Sequence, residues 1–271
     1  MPTQGVATGV SLYYEWHGEE RDGLPVVFIR GTGATGSRWM PQVEEYVEQY
    51  RCLIFDNRGS GGSDSPPGAY TVGGMTDDAV ALMDELEVDR AHFSGLSLGG
   101  AIAMDLAIRF PDRVATLQLH GTWGRTHGYA RMYLGFLKTM LERGDTDLYY
   151  EGALLYLFPP DYITENYDRL MGILEGMKAN ASDPTGLMGQ LEANLTHDVS
   201  DRLGQIMAPT LITVGELDMC IPPYFARELN EAIAGSELVV FPGGSHLFGI
   251  QDPATFNAAT LEWLGRHASA V

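Results

Sequence analysis

Residues 93–100 read Phe93-Ser94-Gly95-Leu96-Ser97-Leu98-Gly99-Gly100, which places one serine between two glycines where an apolar run meets a helix-like run. A serine hydroxyl exposed on a sharp turn from a strand into a helix needs neighbours without a Cβ atom, because the chain folds back against itself on both sides. Gly95 and Gly99 meet this requirement. With 33 glycines in 271 residues, the pattern also arises by chance. Ser97 as a nucleophile therefore depends on what the rest of the chain supplies.

The chain length suits one large α/β domain or two small ones, and no linker favours two. The first residues lack a basic segment followed by an apolar one, and no run of about 18 apolar residues occurs. We therefore expect a cytoplasmic protein. Cys52 and Cys220 are too few for a disulfide framework, and buried free thiols are favoured over a single bridge.

The charge balance limits the partners. With 17 basic and 36 acidic residues the formal net charge is −19, which opposes association with nucleic acid and with anionic lipid surfaces. We expect no nucleic-acid partner and no membrane partner. The same charge weakly repels anions, so it favours a small neutral substrate. The sequence predicts nothing about the oligomeric state.

Short apolar runs alternate with longer helix-like runs, which is typical of a mainly parallel sheet with helices on both faces. The strand candidates are residues 10–16, 26–30, 52–56, 91–94, 114–120, 210–214 and 238–241. The helix candidates are residues 39–49, 76–87, 98–110, 223–234 and 253–267.

The alternation breaks once, over residues 122–203, where no strand is evident and the texture is helical and rich in Tyr, Met and Leu. We interpret this segment as an inserted helical cap. Its apolar spacing is explained by packing inside the cap or by lining of a substrate pocket, and packing is favoured. The candidate pocket residues are Trp123, Tyr133, Phe136, Phe158, Met188 and, outside the cap, Leu247.

A serine of ordinary acidity needs a histidine to take its proton and a carboxylate to orient that histidine. His246 lies in a glycine-rich loop between the last strand candidate and the last helix candidate, and His120 at a strand end is its best competitor. Asp218 follows the strand candidate 210–214 and is the favoured acid. Glu216, two residues earlier, is the runner-up.

A tetrahedral intermediate also needs N–H donors for its oxyanion. The backbone N–H of Leu98, at the start of the helix after Ser97, is one candidate. The glycine-rich residues 31–36 follow the strand candidate 26–30, and Thr32 is the second candidate donor. A phosphate-binding loop is disfavoured there, because no Gly-Lys-Ser or Gly-Lys-Thr ending follows.

Three further segments carry a resemblance to the α/β-hydrolase superfamily across nearly the full chain. Residues 56–64 read Asp56-Asn57-Arg58-Gly59-Ser60-Gly61-Gly62-Ser63-Asp64 and resemble the family's Asp-x-Arg-Gly-x-Gly-x-Ser turn. Residues 215–218 resemble its acid loop, and residues 244–246 followed by Pro253 resemble its histidine loop. The order Ser, Asp, His is also the family's order.

The resemblance implies an α/β fold: a mainly parallel eight-stranded sheet flanked by helices, with an inserted helical cap. The implied core domain comprises residues 1–121 and 204–271, and the cap comprises residues 122–203. Arg30, which precedes Gly31 in the glycine-rich loop, departs from the family, which usually has His at this position. Arg58 and Asp64 are expected to fix loop structure rather than to act in chemistry.

In this family the turn that carries Ser97 is called the nucleophile elbow. A serine there implies a serine hydrolase that cleaves carboxylic esters or lactones through an acyl-enzyme, with no metal and no organic cofactor. Within the family the chain resembles carboxylesterases and lactonases, of the enol-lactonase and acyl-homoserine-lactonase types. Carbon–carbon bond hydrolases and cofactor-free perhydrolases share the motifs and are the alternative. Small-ligand binding proteins and receptors of the same fold remain a different class, because fold alone does not determine function.

Overall fold

The computed structural model describes residues 2–179 and 183–268. Its centre is one eight-stranded sheet of order β1-β2-β4-β3-β5-β6-β7-β8. The strands are β1 (Thr3–Gly5), β2 (Ser11–His17), β3 (Val26–Ile29), β4 (Cys52–Phe55), β5 (Ala91–Leu96), β6 (Val114–His120), β7 (Thr210–Gly215) and β8 (Glu237–Phe241). β2 pairs antiparallel with both β1 and β4. All other neighbouring strands in the sheet pair parallel. The predicted fold class is confirmed.

The central strands are buried on both faces, which explains their continuous apolar sequences. Their register brings the carboxyl ends together at one edge: Ile29 pairs with Gly95, and Leu96 pairs with His120. His120 in turn pairs with Thr213 of β7. Loops that leave β3, β5, β6 and β7 therefore meet at this edge, which is where ligands bind in open α/β sheets.

Helices cover both faces of the sheet. The helices outside the β6–β7 connection are α1 (Met40–Tyr46), α2 (Val72–Glu85), α3 (Leu98–Arg109), α9 (Pro223–Ala232), α10 (Phe248–Gln251) and α11 (Pro253–Ala268). α2, α3 and α9 pack in the apolar cluster on one face, and α1 and α11 in the cluster on the other. α3 is apolar on nearly all sides, and its residues from Leu98 to Ala107 are buried.

The connection from β6 to β7 is helical. It contains α4 (Gly128–Glu142), α5 (Thr146–Leu157), α6 (Pro160–Glu165), α7 (Tyr167–Ala179) and α8 (Pro184–Thr196). Its described residues form no strand, apart from an isolated bridge between Arg125 and Asp198. These helices share their own apolar cluster. The division into a core domain and a separate cap domain stays a prediction.

Two element boundaries differ from the sequence expectation. β1 is absent from the candidate strands because its three residues carry no apolar pattern, and its pairing with β2 is what makes it a strand. α2 begins at Val72 rather than near Thr76, because the Thr71 side chain accepts a hydrogen bond from Gly74 N and caps the helix. The two glycines in its first turn conceal that start.

Both cysteines are free and buried, as favoured from the sequence. Among residues 2–179 and 183–268, no helix is both long enough and apolar enough to cross a membrane.

Candidate active site

Ser97 lies at the turn between β5 and α3 with φ +56° and ψ −120°, a backbone conformation that residues other than glycine rarely adopt. The turn is tight on both sides of the serine. A Cβ atom on Gly95 would lie 2.4 Å from the Gly99 carbonyl oxygen, and one on Gly99 would lie 2.1 Å from the Ile29 carbonyl oxygen. The two glycines of the motif are therefore sterically required, as the sequence analysis argued.

Backbone hydrogen bonds hold this strained turn. Ser97 N donates to the His120 carbonyl at 2.9 Å, and Gly100 N donates to the Ser97 carbonyl at 2.9 Å. The Thr122 hydroxyl donates to the same Ser97 carbonyl at 2.8 Å. A strained residue persists where its surroundings determine its conformation in this way. The hydroxyl is consequently held in one place at the edge of the sheet.

His246 and Asp218 form a buried pair. His246 Nδ1 lies 2.8 Å from Asp218 Oδ2, and the exposed fractions of the two side chains are 5% and 0%. Asp218 Oδ1 accepts hydrogen bonds from Cys220 N and Ile221 N, both at 2.8 Å. The carboxylate is thus fixed by its own loop. It can hold the imidazole with Nδ1 protonated and Nε2 free to accept a proton.

Ser97 and His246 line the same cavity of about 630 Å³ at the carboxyl edge of the sheet. Among the described residues, no hydrogen bond joins the Ser97 hydroxyl to the imidazole. Nucleophile–base hydrogen bonds are often loose before substrate binds. The arrangement brings the three candidate residues to one site.

The competing histidine and acid are not at this site. Both ring nitrogens of His120 are engaged, Nε2 with Ser94 Oγ at 3.0 Å and Nδ1 with Thr213 Oγ1 at 2.8 Å. Burial, with a smaller effect of the Arg30 charge, lowers the pKa of His120 to about 3. Glu216 is exposed and accepts a hydrogen bond from Gly243 N. Geometry therefore favours His246 and Asp218.

The candidate oxyanion donors are the N–H groups of Leu98, next to Ser97, and of Thr32. Leu98 is the first residue of α3, so its N–H has no partner within the helix ladder. Thr32 lines the cavity, and its hydroxyl accepts a hydrogen bond from Asn194 Nδ2 at 2.7 Å. The next residue, Gly33, donates its N–H to Gln190 Oε1 at 2.7 Å. Helix α8 thus braces the loop that carries Thr32.

The sequence analysis missed Gln190 and Asn194. Both side chains are fully buried, and the spacing of four residues puts them on one face of α8. Gln190 Nε2 also donates to the Arg58 carbonyl at 2.7 Å, so it ties two loops of the core to the helix. Two amide residues at this spacing in an apolar helix are a signal that could have identified them.

Four of the six candidate pocket residues line the cavity, namely Trp123, Tyr133, Phe158 and Leu247. The structure does not bring Phe136 or Met188 to it. Phe136 is 49% exposed, because adjacent positions on a helix are about 100° apart and the buried face of α4 is centred on Leu137. Met188 packs against the apolar cluster of the helical segment instead.

Two arginines also line the cavity, and sequence analysis gave neither a role in binding. Arg30 is buried, with its Cζ 5.0 Å from the centroid of the Trp39 ring. Burial, with a smaller effect of the nearby Arg38 charge, lowers the pKa of Arg30 to about 9. Arg38 is exposed and contributes to the same wall. By contrast, Arg58 pairs with Asp78 outside the cavity, in keeping with a structural role.

Asp218, Cys220 and His246 carry ligand-type atoms within 4.8 Å of one another. The hydrogen bonds from Cys220 N, Ile221 N and His246 already occupy both oxygens of the carboxylate. Burial, and next the Asp218 charge, raise the pKa of the Cys220 thiol well above its usual value, which disfavours the thiolate that metals bind. The group fits a proton-transfer pair better than a metal centre.

Known proteins share this fold. A protein of Azorhizobium caulinodans, provisionally named as the carbamate hydrolase RutD, is 30% identical over 254 residues, which cover 94% of this chain and 95% of the relative. The enol-lactonase from Burkholderia xenovorans superimposes with a TM-score of 0.90 at 29% identity, over 97% of this chain and 100% of that one. A thermophilic esterase from Thermogutta terrifontis gives 0.85 at 26% identity, over 98% of both chains.

A family model described as the alpha/beta hydrolase family matches residues 26–259. That span includes the elbow serine, the acid loop and the histidine loop. The chain therefore belongs to the alpha/beta hydrolase family and is a hydrolase of that fold.

Proposed function

We propose that the protein hydrolyses carboxylic esters or lactones through an acyl-enzyme, with Ser97 as nucleophile, His246 as general base and Asp218 as the acid that orients it. The observation that carries this proposal is the 2.8 Å contact between His246 Nδ1 and Asp218 Oδ2, which joins the loops after β8 and β7 beside the turn that carries Ser97. A hydrogen-bonded acid–base pair beside a strained serine that lines the cavity has the parts that acyl transfer needs.

The reaction proceeds in two halves. Ser97 Oγ attacks the carbonyl carbon while His246 Nε2 takes the hydroxyl proton, and the N–H groups of Leu98 and Thr32 stabilise the oxyanion. Collapse of the tetrahedral intermediate breaks the ester C–O bond, and the imidazolium gives its proton to the leaving alkoxide. Water then attacks the acyl-enzyme with His246 again as base. The acid is released and Ser97 regains its proton.

The helical segment would supply the acyl pocket. We propose that residues 122–203 act as a cap, because the cavity is lined from this segment by Tyr133, Leu137, Leu154 and Phe158. The apolar lining suits the hydrocarbon part of short- to medium-chain esters and of acyl-homoserine lactones. The enol-lactonase and the esterase among the similar structures support this substrate class.

Carbamate hydrolysis is a second candidate, and the name of the 30% identical relative favours it. The same attack on a carbonyl would break a carbamate C–N or C–O bond. Carbon–carbon bond hydrolysis remains an alternative within the same fold.

The test is turnover of 4-nitrophenyl acetate and butyrate, a γ-lactone, an acyl-homoserine lactone, a carbamate and a vinylogous diketone by wild type and Ser97→Ala. We expect wild type to hydrolyse esters and lactones and Ser97→Ala to lose nearly all turnover. Ser236→Ala, in the turn before β8, is the matched control and should behave as wild type. Equal turnover by wild type and Ser97→Ala would remove Ser97 as the nucleophile.

A further inference from the structure

The loop between β8 and α10, which carries His246, is not closely packed against the sheet. A second cavity, of about 20 Å³, lies between the two. It is lined by residues 245–250 on one side and by Leu96, His120 and Thr213 of the central strands on the other. Atoms that face a cavity lack packing partners on that side. Close packing alone therefore does not fix the backbone beside His246.

The side chain of Gln251 bridges this loop. Its Oε1 accepts a hydrogen bond from Ser245 N at 2.8 Å, and its Nε2 donates to the Gly243 carbonyl at 3.1 Å. An amide suits this place because it offers an acceptor and a donor side by side. Among residues 2–179 and 183–268, no other hydrogen bond reaches the backbone of Ser245 or His246. Gln251 is thus the main polar support of the backbone next to the imidazole.

The short helix α10, which ends at Gln251, is itself held to the core. Gln42 of α1 donates from Nε2 to the Gly249 carbonyl at 2.7 Å, and the Gln42 side chain is fully buried. Gln251 N donates to the Leu247 carbonyl at 2.9 Å, which closes the turn between the loop and the helix. The support that Gln251 gives to the histidine loop is therefore anchored in the helices on one face of the sheet.

The acid loop holds the histidine loop from the other side. Leu217 N donates to the Gly244 carbonyl at 2.8 Å, and Asp218 Oδ2 lies 2.8 Å from His246 Nδ1. These contacts fix one edge of the imidazole. The direction of Nε2 also depends on the backbone of His246, and that backbone follows Ser245, which Gln251 holds.

We propose that Gln251 is a positioning residue for the general base, whose two hydrogen bonds fix the backbone before His246 so that Nε2 faces Ser97. Gln251 does not line the cavity that holds Ser97, so it acts through His246 rather than on the substrate. This inference rests on the proposed role of His246 as base. Both halves of the proposed reaction transfer a proton through the same nitrogen, so loss of the two hydrogen bonds slows both.

The experiment compares turnover of 4-nitrophenyl butyrate by wild type, Gln251→Met, Gln251→Glu and Gln205→Met, with thermal melts to check folding. Met has nearly the length of Gln and lacks the amide. Glu keeps an acceptor for Ser245 N but turns an oxygen toward the Gly243 carbonyl. Gln205 is exposed before β7, lines neither cavity and is the matched control.

We expect kcat to fall by about tenfold or more in Gln251→Met with KM nearly constant, because a displaced base loses its geometry for proton transfer. Gln251→Glu should give an intermediate kcat, and Gln205→Met should match wild type. Equal kcat in wild type and Gln251→Met would overturn the inference. A raised KM at constant kcat would do the same, because it would show an effect on substrate binding instead.

A double-variant cycle separates positioning of the base from support of the whole site. If Gln251 acts only through the imidazole, Gln251→Met should lower turnover in the wild-type background and leave the residual turnover of His246→Ala unchanged. A further loss in His246→Ala/Gln251→Met, as large as in the wild-type background, would overturn the inference.

Crystal structures of wild type and Gln251→Met keep the test independent of turnover. His246 should adopt one conformer with Nε2 toward Ser97 in wild type, and a displaced or second conformer in Gln251→Met. The same single conformer in both would overturn the inference. Absent turnover with a His246 position that depends on Gln251 would refute the proposed function alone. Turnover that depends on Ser97 and His246, with unchanged kcat in Gln251→Met, would refute this inference alone.

Discussion

The two walls of the cavity are built differently. The core wall, which contains Ser97, His246 and Thr32, comes from loops at the carboxyl ends of parallel strands and is held by backbone hydrogen bonds. The cap wall, which contains Tyr133 and Phe158, comes from the helical segment and is mostly apolar. The core wall can therefore supply fixed polar chemistry, and the cap wall can supply a shape. We expect substitutions in the core wall to change rate and those in the cap wall to change selectivity.

The largest effect tests the core wall at Asp218. Asp218→Asn keeps an oxygen for Cys220 N and Ile221 N but turns an amide toward His246, so the imidazole loses the tautomer with Nε2 free. We expect kcat to fall by about 10⁴-fold with little change in thermal stability. Steady-state kinetics and thermal melts on wild type, Asp218→Asn and the control Glu216→Gln measure this. Loss in Glu216→Gln with activity retained in Asp218→Asn would transfer the role of the acid to Glu216.

The next effect concerns stability under acid. Burial is the main cause that lowers the pKa of His120 to about 3 and those of His92 and His197 to about 4, against an ordinary value of 6.5. Between about pH 6.5 and 4 the unfolded chain thus binds more protons than the folded chain, so the free energy of unfolding falls as the pH falls. Each histidine adds a slope of up to about 1.4 kcal/mol per pH unit.

Urea unfolding at pH 7, 6 and 5 measures this slope. His120→Gln should reduce it by up to about 1.4 kcal/mol per pH unit relative to wild type. His92 and His120 lie in the sheet, and His197 follows α8. We therefore expect the loss of stability in acid to arise in the sheet and where the helical segment joins it. Parallel curves for the two proteins would contradict the assignment to His120.

A smaller effect is expected where the two walls meet. Asn194→Ala removes the donor that holds Thr32 Oγ1 from α8, and Thr32→Val removes the same hydrogen bond from the other side while keeping the backbone N–H. We expect each to lower kcat by about tenfold with little change in KM, because a misplaced oxyanion donor weakens binding of the transition state. The double variant should lose no more than either single variant. Additive losses would show that the two residues act separately.

The smallest effect tests the cap wall. Phe158→Leu shortens a side chain that lines the cavity, and Phe136→Leu makes the same change on the exposed side of α4. The ratio of kcat/KM for 4-nitrophenyl hexanoate to that for the acetate should change less than about tenfold in Phe158→Leu, with kcat for the acetate nearly constant. Phe136→Leu should match wild type. A large loss of acetate turnover in Phe158→Leu would break the division between the two walls.

Much of the core wall could be predicted from the sequence, because the steric constraints that shape it act between residues close together in the chain. The Gly95-Leu96-Ser97-Leu98-Gly99 turn requires its glycines within the same few residues, and the backbone conformation of Ser97 follows from them. The order of Ser97, Asp218 and His246 follows the order of the strands, since parallel strands put their carboxyl ends at one edge. The sequence also marks the helical texture of residues 122–203.

The cap wall and the charge inside the cavity needed the tertiary structure. Tyr133 and Phe136 are three residues apart in one amphipathic helix, and only the packing of α4 against its neighbours separates a lining residue from an exposed one. Gln190 contacts residues more than a hundred positions away, which no local pattern encodes.

Arg30 shows the limit most clearly. The chain presents it as an unusual residue before a glycine-rich loop, and the overall charge argues for a neutral substrate. Its burial, its contact with Trp39 and the lack of a carboxylate among its described neighbours depend on how distant segments pack. Short-range sterics and strand order are properties of the sequence, so the elbow and the order of its candidate partners could be predicted from it. Electrostatic pairing is a property of distances between segments far apart in the chain, so only the folded structure decides which charges lie beside an opposite charge.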